Sequence, residues 1–150
     1  MTYLLDTNVL SALAPNKTKA VTDLVDWLDA ASARLYLSTV TAAEIHDGIA
    51  KAKRQGATRK AETLSAWWQA VEHLYGDRIL PFDLASARLA GILADKARGA
   101  GHDPGFADII IAATAEAHGL TILTRNIRHF VPIGVAALDP FQALPPFPTA

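Results

Sequence analysis

Tyr3-Leu4-Leu5-Asp6-Thr7-Asn8-Val9-Leu10 is the stretch that decides how this chain folds. Tyr3-Leu4-Leu5 is a short apolar run and reads as a buried strand. Asp6-Thr7-Asn8 ends it with three polar side chains, and Val9-Leu10 and a turn-rich stretch holding Ser11, Pro15 and Asn16 follow. Proteins of the α/β class place their chemistry at the carboxyl ends of their strands. A carboxylate directly after the first strand is therefore a candidate site residue on which other acids can converge.

Outward from that strand, the pattern alternates. Val21 to Ala31 places Val21, Leu24, Val25 and Leu28 on one face and predicts an amphipathic helix. Leu35 to Thr39 reads as a second strand. A helix starting at Thr41 runs to about Arg54, and Gly56 separates it from another over Thr58–Tyr75. Ile79-Leu80 is a brief strand ended by Pro81, and Leu84 to Arg98 is helical until Gly99 and Gly101. Asp103-Pro104 signals a helix start, a capping acid before a proline at the first position. The helix that follows, to His118, is apolar on nearly every side and is expected to be buried. Gly119 caps it, Leu120–Thr124 is a strong buried strand, and Val135–Leu138 is a short last one. Strands alternating with helices predict an α/β fold, with a mostly parallel sheet covered on both faces. Residues 143–150 are proline-rich and are expected to form an extended tail.

Composition narrows the function classes. The chain has 150 residues, enough for one domain with a sizeable core, and 51% are hydrophobic. Its formal net charge of −1 excludes a generally basic nucleic-acid binder, so such contact would use local basic patches or metal ions. It has no cysteine, which removes disulfides, thiolate metal sites and a cysteine nucleophile. No signal peptide and no membrane-length apolar stretch is visible, so a soluble, cytoplasmic protein is expected.

Three acids hold positions that such a sheet would bring to one edge: Asp6 after the first strand, Glu44 in the first turn after the second, and Asp108 early in the buried helix. Asn126, in Thr124-Arg125-Asn126, follows the fourth strand. Each has a plainer reading. Thr41 and Glu44 form a T-x-x-E capping-box pattern, compatible with a catalytic role. Asp108 complements a helix dipole, yet it lies between Phe106-Ala107 and Ile109-Ile110-Ile111, where an unpartnered carboxylate is costly. Asp6 can cap the next segment, Asn126 can make a turn, and Asp103 is assigned to capping. Converging carboxylates raise one another's pKa, and a hard divalent cation removes the conflict. Zinc is disfavoured, because His46, His73, His102, His118 and His129 form no ligand pair of the H-E-x-x-H kind. Nucleotide-binding glycine loops and the G-x-S-x-G elbow are absent.

In series, Leu4-Leu5-Asp6-Thr7-Asn8-Val9-Leu10-Ser11, Leu37 to Glu44, Ala107 to Ala115 and Leu123-Thr124-Arg125-Asn126 resemble the PIN domain. Within it they are similar to the VapC-type toxin ribonucleases of toxin–antitoxin pairs. The ending Gly134 to Phe141 also resembles that family, so the PIN-like part is residues 1–142. The resemblance implies a Rossmann-like α/β/α sandwich and a Mg²⁺- or Mn²⁺-dependent endoribonuclease. By position, Asp6, Asp108 and Glu44 match the metal-binding acids, and Asp6, Glu44, Asp108 and Asn126 the catalytic set. Relatives often carry a further acid where Asn126 or His129 stands here. A neutral amide still accepts through its carbonyl, and one metal is expected; His129 is either a substrate contact or an ordinary surface residue. Thr7, Asn8, Thr124 and Arg125 are candidate substrate contacts.

The implied partners are an RNA substrate, a small antitoxin protein and a second copy in a homodimer. Lys51, Lys53, Arg54, Arg59 and Lys60, with Arg125 and Arg128, are either phosphate contacts or a solvated charged face. Trp67-Trp68 point about 100° apart on a helix, so one of them hints at an interface. The alternatives are a non-catalytic RNA- or protein-binding module of the same fold and a metal-dependent DNA nuclease or phosphatase.

Overall fold

The computed structural model describes residues 1–15 and 22–149. Asn16, Val21 and Ala150, named above, lie outside the described residues. Among the described residues, five short strands form one sheet: β1 (Tyr3–Leu5), β2 (Leu35–Ser38), β3 (Ile79–Leu80), β4 (Thr121–Leu123) and β5 (Ala137–Leu138). Every pairing is parallel, in the order β3-β2-β1-β4-β5. The helices are α1 (Thr7–Leu10), α2 (Thr22–Ala31), α3 (Thr39–Arg54), α4 (Thr58–Tyr75), α5 (Leu84–Gly99), α6 (Phe106–His118) and α7 (Ile127–Phe130), with short 3₁₀ turns between some of them.

Successive strand residues face opposite sides, and that alternation builds two cores. Tyr3, Leu5, Leu35, Leu37 and Leu123 pack towards α1 to α4, with Leu24, Leu28 and Trp68. Leu4 and Ile122 pack on the other face against α5 and α6, with Ala112, Phe130 and Ile133. A parallel sheet covered on both faces explains why β1 is three apolar residues in a row, all fully buried.

Helix α6 is buried over Ile109–Ala115, as its all-round apolarity requires, and ends at Gly119 in the left-handed region with φ +64°. Its start differs from expectation. Gly105 is the N-cap, and Asp103 and Pro104 precede the helix in the loop. Helix α3 also starts earlier than expected: Ser38 is the N-cap, accepting from the Val40 amide at 3.1 Å. Thr41 and Glu44 therefore sit inside the helix, and no capping box forms. Trp68 is 2% exposed and meets His46 edge-on, whereas Trp67 is half-buried. The two adjacent tryptophans do diverge.

The tail over 143–149 is extended but not detached. The Tyr3 hydroxyl donates to the Pro146 carbonyl at 2.8 Å and Arg34 donates to that of Pro148 at 3.1 Å. The Met1 amino group donates to the Thr149 hydroxyl at 2.7 Å, and Phe147 stands edge-on to Trp27. No described helix is long and apolar enough to cross a membrane.

Candidate active site

The site follows from strand order. From β1 the chain moves to β2 and β3 on one side, then returns to β4 on the other. The carboxyl ends of β1 and β4 thus flank the point where the order reverses, the usual crevice of an open α/β sheet. Asp6 leaves β1 there and Thr124 leaves β4. Helix α6 ends next to the start of β4, so its first turn, with Asp108, stands at the carboxyl edge.

Hydrogen bonds stitch the loops together. Asp6 accepts from the Thr7 amide at 2.8 Å on Oδ1 and from the Thr124 hydroxyl at 2.7 Å on Oδ2. The Asn126 amide donates to Thr124 Oγ1 at 3.0 Å, and the Arg125 amide to Asn8 Oδ1 at 3.2 Å. Thr7 Oγ1 donates to Glu44 Oε1 at 2.7 Å and lies 2.9 Å from Thr41 Oγ1. A hydroxyl has one proton, so the buried Thr41 donates to Thr7, which donates to Glu44. His129 Nδ1 lies 3.1 Å from Asp108 Oδ2. That imidazole is the partner the half-buried Asp108 requires.

Asp6 is 6% exposed, and its carboxyl is pushed above the ordinary range, first by burial and then by the negative charges of Asp108 and Glu44. The hydrogen bonds from Thr124 and Thr7 oppose that rise without cancelling it. The three acids therefore share one electrostatic field. They are not drawn into one cluster: among the described residues, no three His, Asp or Glu side chains are gathered as a metal-ligating group. Each acid is instead held by its own donor. The donor set nonetheless fits a hard divalent cation, being all oxygen and centred on a carboxylate whose charge burial disfavours.

Thr124 is fully buried, Asn8 holds the β4–α7 loop, and Thr7 is committed to Glu44. These side chains position the acids. The exposed Arg125 guanidinium lies 3.8 Å above the Phe141 ring. Asn126 stands at the start of α7 without a side-chain cap bond. Sequence reading gave Thr41 only a capping role; nothing in its surroundings signalled a contact with Thr7.

The PIN domain profile matches residues 3–132. The chain belongs to the PIN-domain family. This PIN domain is 38% identical over 147 residues to the plasmid stability protein StbB of Pseudomonas syringae pv. tomato, covering 93% of this chain and 99% of that protein. It is 36% identical over 140 residues to the VapC ribonuclease Y4jK of Sinorhizobium fredii, covering 93% and 97%. The crystal structure of FitAcB from Neisseria gonorrhoeae superposes with a TM-score of 0.82 at 34% identity, covering 93% of this chain and 99% of that one. The PIN fold expected from the four motifs is thus the fold observed, with a sheet that is wholly rather than mostly parallel.

Proposed function

We propose that this PIN domain is the toxin of a toxin–antitoxin pair, a Mg²⁺- or Mn²⁺-dependent endoribonuclease in the cytoplasm. The observation that carries the reading is Asp6, buried at the switch point and repelled by Asp108 and Glu44. Such an arrangement is costly without a cation, and its full-length relative Y4jK bears the name VapC ribonuclease.

Asp6 and Asp108 would hold the cation, and Glu44 would act with them. When bound, the cation favours ionisation of water and offsets the charge of a phosphodiester. The chain's own groups do the rest. Thr7 and Thr124 fix both oxygens of Asp6. The Thr41–Thr7 relay fixes Oε1 of Glu44 and leaves Oε2 to accept a proton from the attacking water. That water's oxygen bonds to phosphorus, one ester P–O bond breaks, and the departing oxygen takes a proton from solvent water. Asn126 accepts through its carbonyl where relatives carry an acid. A small antitoxin covers the acidic groove, and a second copy completes a homodimer; exposed Leu84 and Ile92 on one side of α5 offer apolar surface to a protein partner.

The test is cleavage of total RNA by purified, antitoxin-free protein in Mg²⁺ or Mn²⁺, with cut ends sequenced. Asp108→Asn is expected to keep the wild-type melting curve and to lose at least about 100-fold in rate, the scale of losing one electrostatic contact to the reacting group. Full activity in that variant overturns the assignment. Folded protein that neither binds metal nor cuts supports the non-catalytic module, which the neutral Asn126 favours. Cleavage of single-stranded DNA or a phosphate monoester in preference to RNA moves the reading to the other alternative.

A further inference from the structure

We propose that the groove between α3 and α4 is the track that carries the RNA strand away from the acidic site, with Lys51 and Lys60 on its phosphates. This inference rests on the ribonuclease reading and names the substrate path of that same site. The groove encloses about 530 Å³, and Thr7 and Glu44 are among the residues that line it. It therefore meets the acidic site on its Glu44 side.

Glu44, Gly48 and Lys51 on α3 and its C-cap Gln55 are spaced four, three and four residues apart and all line the groove. They form one straight stripe, with Lys51 roughly 10 Å from Glu44 along the helix axis. Lys60 faces the stripe from α4, and half-buried Trp67 closes the wall, where a base can stack. Both lysines are exposed, and neither has an ion-pair partner among the described residues. Of the basic group around Gly56, these two line the groove and Lys53, Arg54 and Arg59 do not.

Gly48 is the second observation. Glycine weakens a helix interior, and here no close packing demands it, since a methyl-sized group at Gly48 would meet no atom within 4 Å. Its absent side chain instead leaves the groove floor open midway between the acid and the lysine. A strand of negative phosphates fits two unpaired cations leading from a cation-binding site. A protein segment carrying a basic side chain towards the acids would meet both lysines first.

The test uses the Asp108→Asn protein, which binds RNA without cutting it, and a short labelled single-stranded RNA of mixed sequence read by fluorescence anisotropy across a salt series. Adding Lys51→Gln and Lys60→Gln is expected to weaken binding about tenfold and to flatten the log–log salt slope by about 1.4, two phosphate contacts' worth. Lys53→Gln leaves both unchanged. Gly48→Gln fills the groove with a good helix former, so binding weakens about tenfold while the melting temperature holds or rises, which a merely structural glycine would not do. Unchanged affinity and slope in these variants overturn the track and assign the groove to a protein partner, and no binding at low salt overturns it too. Cleavage by the otherwise wild-type protein separates the two ideas. Lysine-dependent binding without cleavage sinks the ribonuclease and keeps the track. Cleavage with KM unmoved by the lysine changes does the reverse.

Discussion

Asp6 is held in the folded protein at an electrostatic cost. Burial and the charges of Asp108 and Glu44 raise its carboxyl above the ordinary 3.8. Below that ordinary value the group is protonated in both folded and unfolded chains and costs nothing. As pH rises through the raised folded value, the protein must ionise a buried group and loses stability. Asp6→Asn removes that charge, together with one of the two acceptor oxygens that Thr7 and Thr124 bond. That lost bond is independent of pH, so in EDTA the variant's melting temperature relative to wild type is expected to rise as pH goes from 3.8 to 7. On the proposed function, added Mg²⁺ should raise the wild-type melting temperature, as a ligand of the folded state alone does, and leave Asp6→Asn unmoved. A difference between the two proteins that does not change with pH would refute this account. The position of Asp6 was legible because an apolar run stopped at a carboxylate. Its hydrogen bond from Thr124, 118 residues away, was not.

At the scale of the element, α3 carries the most consequence. It brings Glu44 to the site, lines the groove with Gly48 and Lys51, and starts at Ser38. Replacing that cap by alanine should cost about 1 kcal/mol, read by chemical denaturation, and should lower activity by loosening Glu44. Loss of activity at undiminished stability would point to a direct role for Ser38 instead. Sequence reading placed the helix but gave its cap to Thr41, because T-x-x-E matches a capping box as well as two positions inside a helix. Helices α1 and α7 were missed for a different reason. Each is four residues long, too short to show a 3.6-residue period. Both are set by tertiary contacts, α1 by the burial of Val9 and Leu10 in the core and α7 by Phe130, which is fully buried beside α6.

Across the whole molecule, the last residues close the fold. The strand β1 lies in the middle of the sheet, and the tail binds Tyr3 at its start, Arg34 before β2 and the Met1 amino group. Pro145 and Pro148 are buried in that contact. Ending the chain at Gln142 leaves the buried Tyr3 hydroxyl without its acceptor and uncovers apolar surface. The truncated protein should lose about 2–3 kcal/mol of stability while the proposed cleavage at low temperature persists, since the acids stand at the opposite edge of the sheet. An unchanged unfolding curve would show that the tail contributes nothing.

Local sequence signals were enough for the class of fold, the strands to within one or two residues, the buried helix before β4 and the acids at the sheet's carboxyl edge. Those follow from local signals: apolar runs, helical periodicity and the glycine that ends α6. How the acids are held depends instead on long-range packing. Sheet order puts the ends of β1 and β4 side by side, and the hydroxyls of Thr7, Thr41 and Thr124 become positioning groups only once residues far apart in the chain meet. The same holds for the pairing of His129 with Asp108 and for the alignment of Lys60 opposite Lys51. Such contacts carry no periodicity, because they depend on which surfaces fold together rather than on the residues beside them.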